Sequence, residues 1–189
     1  MKRRKIIIKS EYALVPLTQN KFAIIDLEDI ERIEKYDWHT AGNKKRPRAC
    51  RTYHFNGKSV KFCMARFIMN LKDKELQVDH INHNTLDNRK DNLRICTRAE
   101  NSRNRKKPCN SSHKYKGIRK SENNKKYIAK IKIDNKQKYL GTFDSELDAA
   151  KAYDKAAKKY FGEFAWLNFP NKLINDNSDL IEHLEPEEK

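Results

Sequence analysis

Val78-Asp79-His80-Ile81-Asn82-His83, followed by Asp87-Asn88-Arg89-Lys90-Asp91-Asn92-Leu93-Arg94 and then Glu100-Asn101-Ser102-Arg103-Asn104, decides the fold of this chain. It reads as strand, loop, strand, helix. Gln77 to Ile81 is the first strand. Asn82 to Asp91 is rich in Asn and Asp, which accept tight and left-handed turns, and Leu93 and Ile95 mark the second strand. Thr97-Arg98-Ala99-Glu100 has the form of a capping box, in which hydroxyl and carboxylate each satisfy a free backbone N–H at a helix start. Asn101 then falls in the first turn of a helix packed on the hairpin.

Upstream, residues 1–61 form an N-terminal β-rich region. Tyr12 to Leu17 and Phe22 to Leu27 are short apolar runs, and Glu28 to Lys35 carries Ile30 and Ile33 at helical spacing. Trp38, Tyr53 and Phe55 are expected in the core. Phe62 to Leu71 fits a helix beneath the hairpin, so that residues 62–105 make one strand and helix unit. Residues 106–113 read as a basic linker. A second unit follows over 114–170, with strands at Tyr115 to Arg119, Tyr127 to Ile133 and Gln137 to Leu140. Its turns are Glu122-Asn123-Asn124 and Asp134-Asn135. Ser145 caps a helix in which Leu147, Ala150, Tyr153, Ala157 and Tyr160 recur at helical spacing until Gly162 ends it. Residues 171–189 are an acidic tail. The expected class is α+β: a β-rich start, a ββα unit, then a three-stranded antiparallel sheet packed on one helix.

Composition narrows the partners. A formal net charge of +16 and a pI near 9.7 are the footprint of a protein that neutralises nucleic-acid phosphates. No apolar run approaches the roughly 18 residues needed to span a bilayer, and the start lacks the apolar segment of a signal peptide. An intracellular, soluble chain without a membrane partner is expected. Cys50, Cys63, Cys96 and Cys109 lie far apart in sequence without a C-x-x-C pair, so reduced and mostly buried thiols are expected rather than a zinc ribbon or a disulfide framework.

The central motif offers the parts that phosphodiester hydrolysis needs. Asp79 supplies a charged oxygen and Asn101 a neutral amide oxygen for a hard divalent cation, and His80 titrates in the range suited to taking a proton from water. Neighbours on a strand point to opposite faces, so Asp79 and His80 can act together only if the strand ends or twists there.

From about Phe62 to Asn104 the chain resembles the HNH endonuclease family, in particular the phage and intron-encoded homing branch in which the last His of the motif is Asn. The resemblance implies a ββα-metal fold, with His80 as general base and Asn92 as the residue that braces the loop and orients that base. It implies Asp79 and Asn101 as ligands of one divalent metal, Mg²⁺ with Mn²⁺ as the alternative. Where that family often has His-Arg before the motif, this chain has Ala65-Arg66, expected to be a change of packing or of DNA contact. His83 is a second candidate for the active site, though its place in the loop makes a surface position or a DNA contact the expectation.

Residues 112–170 resemble the Apetala or ethylene-response-factor (ERF) type of DNA-binding domain through Tyr115-Lys116-Gly117-Ile118-Arg119, Tyr139-Leu140-Gly141-Thr142-Phe143, Ala149 to Ala157, and Leu167-Asn168-Phe169-Pro170. The resemblance implies a sheet that enters the major groove. Strand alternation reaches the same face independently: if Ala129, Ile131 and Ile133 face the helix, Lys130 and Lys132 face outward, joined by Gln137 and Tyr139. Lys116 and Arg119 match basic contact positions on the first strand.

The expected function is a metal-dependent, site-specific DNA endonuclease of the homing or mobile-element kind, acting on double-stranded DNA as a monomer or weak dimer, without a small-molecule substrate. Residence in the cytoplasm of a bacterial host is implied by the resemblance. The alternative is a non-catalytic DNA-binding transcription regulator retaining the HNH fold. An RNA-directed protein is the third reading, and it lacks the aromatic signature of common single-strand binders.

Overall fold

The computed structural model describes residues 4–106, 113–121 and 125–170, and it is an α+β protein of two compact units, residues 1–105 and 106–189. The linker reading, Cys109, the turn at Glu122-Asn123-Asn124 and the acidic tail fall wholly or mostly outside the described residues.

The first unit opens with a sheet of β1 (Ile7–Ile8), β2 (Ala13–Pro16) and β3 (Phe22–Ile25). Gln19 and Asn20 both take positive φ in the turn between β2 and β3, the conformation that matches strand twist in a tight hairpin. Alternation sends Ala13, Val15, Ala23 and Ile25 into the core. A 3₁₀ turn (Leu27–Asp29) and the short helix α1 (Ile30–Ile33) follow, burying Ile33 completely.

Next comes a second sheet, β4 (His39–Asn43), β5 (Arg46–Phe55) and β6 (Lys58–Cys63). Asn43 Oδ1 accepts from the amides of Lys45 and Arg46 and closes the β4–β5 turn. Asn56 and Gly57, both at positive φ, form the two-residue β5–β6 loop. Phe62 and Cys63 therefore extend β6 instead of opening a helix. Helix α2 is only Met64–Ile68, and it stops where Asn70 turns left-handed.

Trp38 is buried and donates its indole N–H to Ile33 O at 2.9 Å. Tyr53 and Phe55, expected inside, are 44% and 65% exposed, because β5 runs past Cys50 into a hairpin with solvent on both faces. The thiols are also arranged differently from what their sequence separation implied. Cys50 and Cys63 stand opposite each other on β5 and β6, with sulfurs 2.9 Å apart.

The ββα element completes this unit with β7 (Gln77–His80), β8 (Leu93–Cys96) and α3 (Arg98–Arg103). It has no separate core. Met64, Ala65, Ile68 and Leu93 belong to the same cluster as Ala13, Val15, Ile25 and Trp38. Ala65 is thus a packing position. At about 1.5 to 3 kcal/mol for each large side chain fully removed from water, this shared cluster is what fixes the hairpin on the N-terminal sheets.

The second unit has β9 (Ile118–Lys120), β10 (Tyr127–Ile133) and β11 (Lys136–Phe143) in the order β11-β10-β9, with α4 (Glu146–Phe161) packed across them. Ser145 Oγ accepts from Leu147 N at the start of α4, and Gly162 at φ +52 follows its end. Small alanines at 149, 150 and 157 have no exposed surface and let the helix lie close on the sheet. Buried Asp154 accepts from the amides of Asn168 and Phe169, and Asn168 bonds the backbone of Lys116, tying the last described segment to both helix and sheet. Among the described residues no helix is long and apolar enough to cross a membrane.

Gly117 sits at φ +81, and an added Cβ would lie 1.9 Å from the Tyr153 ring. Gly117→Ala is expected to destabilise the second unit by about 3 kcal/mol through strain and overpacking. Gly57→Ala, at φ +71 with nothing within 4 Å of the new methyl group, is expected to cost only about 1 to 2 kcal/mol. Thermal melts of both variants followed by circular dichroism check the order.

Candidate active site and nucleic-acid face

On the paired strands β7 and β8, Asp79 stands opposite Arg94 and His80 opposite Leu93. Gln77 and Asp79 share the face that receives α3. Asn101 Nδ2 donates to Gln77 Oε1 at 2.7 Å, and one helical turn later Asn104 Nδ2 donates to Asp79 Oδ2 at 2.8 Å. The capping box of Thr97 and Glu100 sets where this helix begins and so which Asn meets which strand residue. Asp79 is 6% exposed, and its Oδ2 also accepts from Arg94 Nε at 3.1 Å and Nη2 at 2.8 Å. Three donors hold one carboxylate oxygen, whereas Oδ1 makes no hydrogen bond among the described residues.

His80 is the last residue of β7. Its carbonyl accepts from His83 N at 3.0 Å as the chain turns, with His83 half-buried at positive φ, so the strand ends directly after Asp79 and His80. His80 Nε2 lies 3.4 Å from Asn88 Oδ1. Asn88 Nδ2 donates to Leu86 O at 3.0 Å, which turns its oxygen to the ring. That oxygen can only accept, so Nε2 is the donor and Nδ1 of the neutral ring is left basic. Burial is the largest influence on His80 and holds its pKa below the ordinary value, while Asn88 and Asp79 act the other way. Burial thus favours the neutral form of the imidazole.

Asn92 does something different from touching the base. Its Oδ1 accepts from Asn82 N at 2.9 Å and its Nδ2 donates to Asp87 O at 2.8 Å, so it clamps the two ends of the β7–β8 loop. The contact that orients the ring comes from Asn88. Asp87 accepts from Asn82 Nδ2 and from Arg89 Nε and Nη2, and the Arg89 guanidinium holds its carboxyl below the usual range. Two backbone bonds, Ile24 N to Leu86 O and Asn88 N to Ile24 O, both 2.8 Å, stitch this loop to β3.

Asp79 Oδ1 and the Asn101 amide oxygen are hard donors of the kind Mg²⁺ takes, and the residues present fit such an ion. No hydrogen bond links the two. Asp26, Glu28 and Asp29 form the one cluster of three His, Cys, Asp or Glu side chains found among the described residues; Lys90 pairs with Glu28 and Asp29, Arg32 pairs with Asp29, and Asp26 accepts from the Lys90 amide. Asn88, Arg94 and Asn104 all lie within the stretch quoted at the outset, yet spacing alone gave none of them a role.

In the second unit Lys130 pairs with Tyr139 and Lys132 with Gln137, which places all four on one face. Tyr139 is 57% exposed. A bulge after Ala129 skips Leu140, which turns into the core between the two clusters. Arg119 pairs with Ile128 and joins the outer face, since Ile118 and Ala129 point to the helix. Lys116 stands apart: its ammonium lies half-buried 5.6 Å from the Trp166 ring, and burial pushes its pKa down to about 8 against the pull of Asp154.

An HNH endonuclease family model matches residues 71–103, which span β7, the loop, β8 and α3. An uncharacterized HNH endonuclease of Acanthamoeba polyphaga mimivirus is 34% identical over 169 residues, covering 86% of this chain and 81% of that one. Over the C-terminal part the chain is similar to plant proteins. Dehydration-responsive element-binding protein 2D of Arabidopsis thaliana is 44% identical over 68 residues, 35% of this chain and 32% of that one. An ethylene-responsive transcription factor of the same plant is 41% identical over 61 residues, 31% of this chain and 33% of its own length. HNH nucleases generally use a divalent metal. The matched motif, folded as a hairpin and helix around Asp79 and His80, and the similarity along most of a viral relative place this chain in the HNH endonuclease family.

Proposed function

We propose that the chain is a metal-dependent, site-specific DNA endonuclease of the homing or mobile-element kind, with hydrolysis in residues 62–105 and targeting by the sheet of residues 114–170. The observation that carries this reading is the His80 ring, whose Nε2 is held by Asn88 and whose Nδ1 is left as a base beside a carboxylate with an uncommitted oxygen. Asp79 Oδ1 and Asn101 would hold the divalent ion, Mg²⁺ by preference. When bound, the ion would neutralise charge building on the phosphate and the leaving oxygen. His80 Nδ1 takes the proton of the attacking water. Arg94 and Asn104 fix the Asp79 carboxylate, and Asn92 keeps the loop closed. Lys130, Lys132, Gln137, Tyr139 and Arg119 lie along the duplex, and lysines supply charge more than bidentate base reading. One such centre cuts one strand, in keeping with a monomer or weak dimer. The viral relative supports a mobile-element origin, and the host cytoplasm is the proposed compartment.

The likeness to proteins named as transcription factors favours a second reading, a regulator that binds without cutting. Plasmid cleavage separates the two. With Mg²⁺, nicked or linear product is expected, and EDTA abolishes it. His80→Ala is expected to lower the rate by about 10² to 10⁴ while gel-shift affinity persists. Tight binding with no cleavage under any divalent metal overturns the nuclease reading.

The acid limb of the rate profile follows from His80. Its pKa is lowered in the folded protein, so the active neutral form persists to lower pH than for an ordinary histidine, and activity falls only below that point. Asn88→Asp sets a carboxylate against the ring, which favours its protonated form and is expected to move the acid limb upward. A merely structural role for Asn88 would instead lower the rate equally at all pH, so rates of wild type and variant from pH 5 to 9 distinguish the two.

A further inference from the structure

The β4-β5-β6 sheet carries a charge asymmetry that the proposed chemistry does not use. From position 38 to 72 the chain has nine Lys or Arg and no Asp or Glu, and that span contains the whole sheet. Alternation sorts these charges between two faces. Along β5, Arg46, Arg48, Cys50, Thr52 and His54 lie on one side, and Pro47, Ala49, Arg51, Tyr53 and Phe55 on the other. Cross-strand contacts fix the first side: Thr52 Oγ1 is 3.5 Å from His39 Nε2, Ser59 Oγ is 3.2 Å from His54 Nδ1, and Lys61 pairs with Thr52. Arg51 points the other way, its guanidinium 3.9 Å from the Tyr36 ring and near Phe62 and Phe67. Arg51 belongs to the packing. Arg46, Arg48 and Lys61 are exposed, and none makes an ion pair among the described residues.

This face borders the candidate active site. Thr85 Oγ1, in the loop that holds His80, donates to Pro47 O at 2.5 Å, and Pro47 is flanked by Arg46 and Arg48. The Arg48 charge reaches both ends of this region: it is among the influences that lower the pKa of His80 and among those acting on Cys50 and Cys63. Cations gathered without a neighbouring carboxylate repel one another in the free protein, and a polyanion laid across them relieves that repulsion. Hydroxyl and imidazole groups of Thr52, Ser59, His39 and His54 interleave with the cations and can donate to phosphate oxygens.

We propose that this face, through Arg46, Arg48 and Lys61, holds the phosphate backbone of duplex DNA beside His80, as a second DNA-contact surface besides the C-terminal sheet. The place of the scissile phosphate rests on the nuclease reading. The binding itself does not.

The test uses full-length protein in the His80→Ala background, so that binding is measured without cleavage. Affinity for a duplex oligonucleotide is followed against salt concentration for the parent, for Arg46→Gln/Arg48→Gln/Lys61→Gln, and for a control with the same loss of charge at exposed Lys5, Lys9 and Lys74. Each phosphate contact contributes about 0.9 to the slope of log K against log salt, so the face variant is expected to flatten the slope by about 3. The control is expected to change it by less than about 1, and Arg48→Gln alone to lower it by about 1. Equal flattening in both triple variants, or none in the face variant, overturns the proposal. Circular dichroism melts verify folding of each, and the C-terminal sheet is intact in all, so its share cancels. Cleavage by the chain with His80 restored is scored separately. Slope loss without cleavage leaves this surface standing and removes the nuclease reading, whereas cleavage without slope loss does the opposite.

Discussion

A buried amide or carboxylate left without a partner costs about 1 to 3 kcal/mol, and the β7–β8 loop buries three such side chains, Asp87, Asn88 and Asn92. Everything at the candidate site follows from how those groups are satisfied. Asn92 can reach its partners only if Asn82 and Asp87 come together; Asp87 then takes Arg89, and Asn88 divides its two ends between Leu86 O and His80. No member can shift without orphaning another, so the ring is placed by a closed network. The loop in turn depends on β3, whose Ile24 lends both its amide and its carbonyl. The 12-residue loop between the two strands (81–92) is thereby stitched to a sheet edge.

Local signals were readable and long-range ones were not. The capping box at Thr97 and Glu100, the turn at Asp134-Asn135 and the outward placement of Lys130, Lys132, Gln137 and Tyr139 depend on neighbours within a few residues, so the sequence contains them in full. The Asn56-Gly57 turn was also legible. Counting outward from it pairs Cys50 with Cys63 and extends β6 through Phe62, a reading that a search for cysteine spacing alone passes over. The choice between Asn88 and Asn92 as the partner of His80 was not legible, because it is made by Ile24, more than sixty positions upstream. The setting of Lys116 likewise depends on distant partners. The Asn168 that captures its backbone is 52 residues away, and its half-buried ammonium lies 5.6 Å from the Trp166 ring.

Asp79 illustrates how the ββα element solves a problem that its sequence poses. A buried carboxylate needs compensation, and one proposed to hold a cation must also keep an oxygen uncommitted. Loading Oδ2 with Arg94 and Asn104 meets the first need and leaves Oδ1 for the second. The pairing is tied to register, since Arg94 stands directly across from Asp79, and to helix phase, since Asn104 follows Asn101 by one turn. A slip of one residue in either element would put Ile95 or Arg103 there instead. Hairpin register and helix start are thus not incidental to the site.

The chain's positive charge is distributed over architectures that differ in what they can read. On the C-terminal sheet, Lys130 and Lys132 face the same side as Gln137 and Tyr139, so charge is accompanied by side chains that can meet base edges. On the β4-β5-β6 sheet, arginine and lysine are accompanied by short hydroxyls and histidines, and the aromatic residues of β5 and β6 fall on the opposite face, around Arg51. Such a surface offers donors to phosphate oxygens. It also adjoins the loop that positions His80. On the proposed reading both sheets bring charge to DNA, and the groups that orient His80 and Asp79 belong to neither set of contact residues.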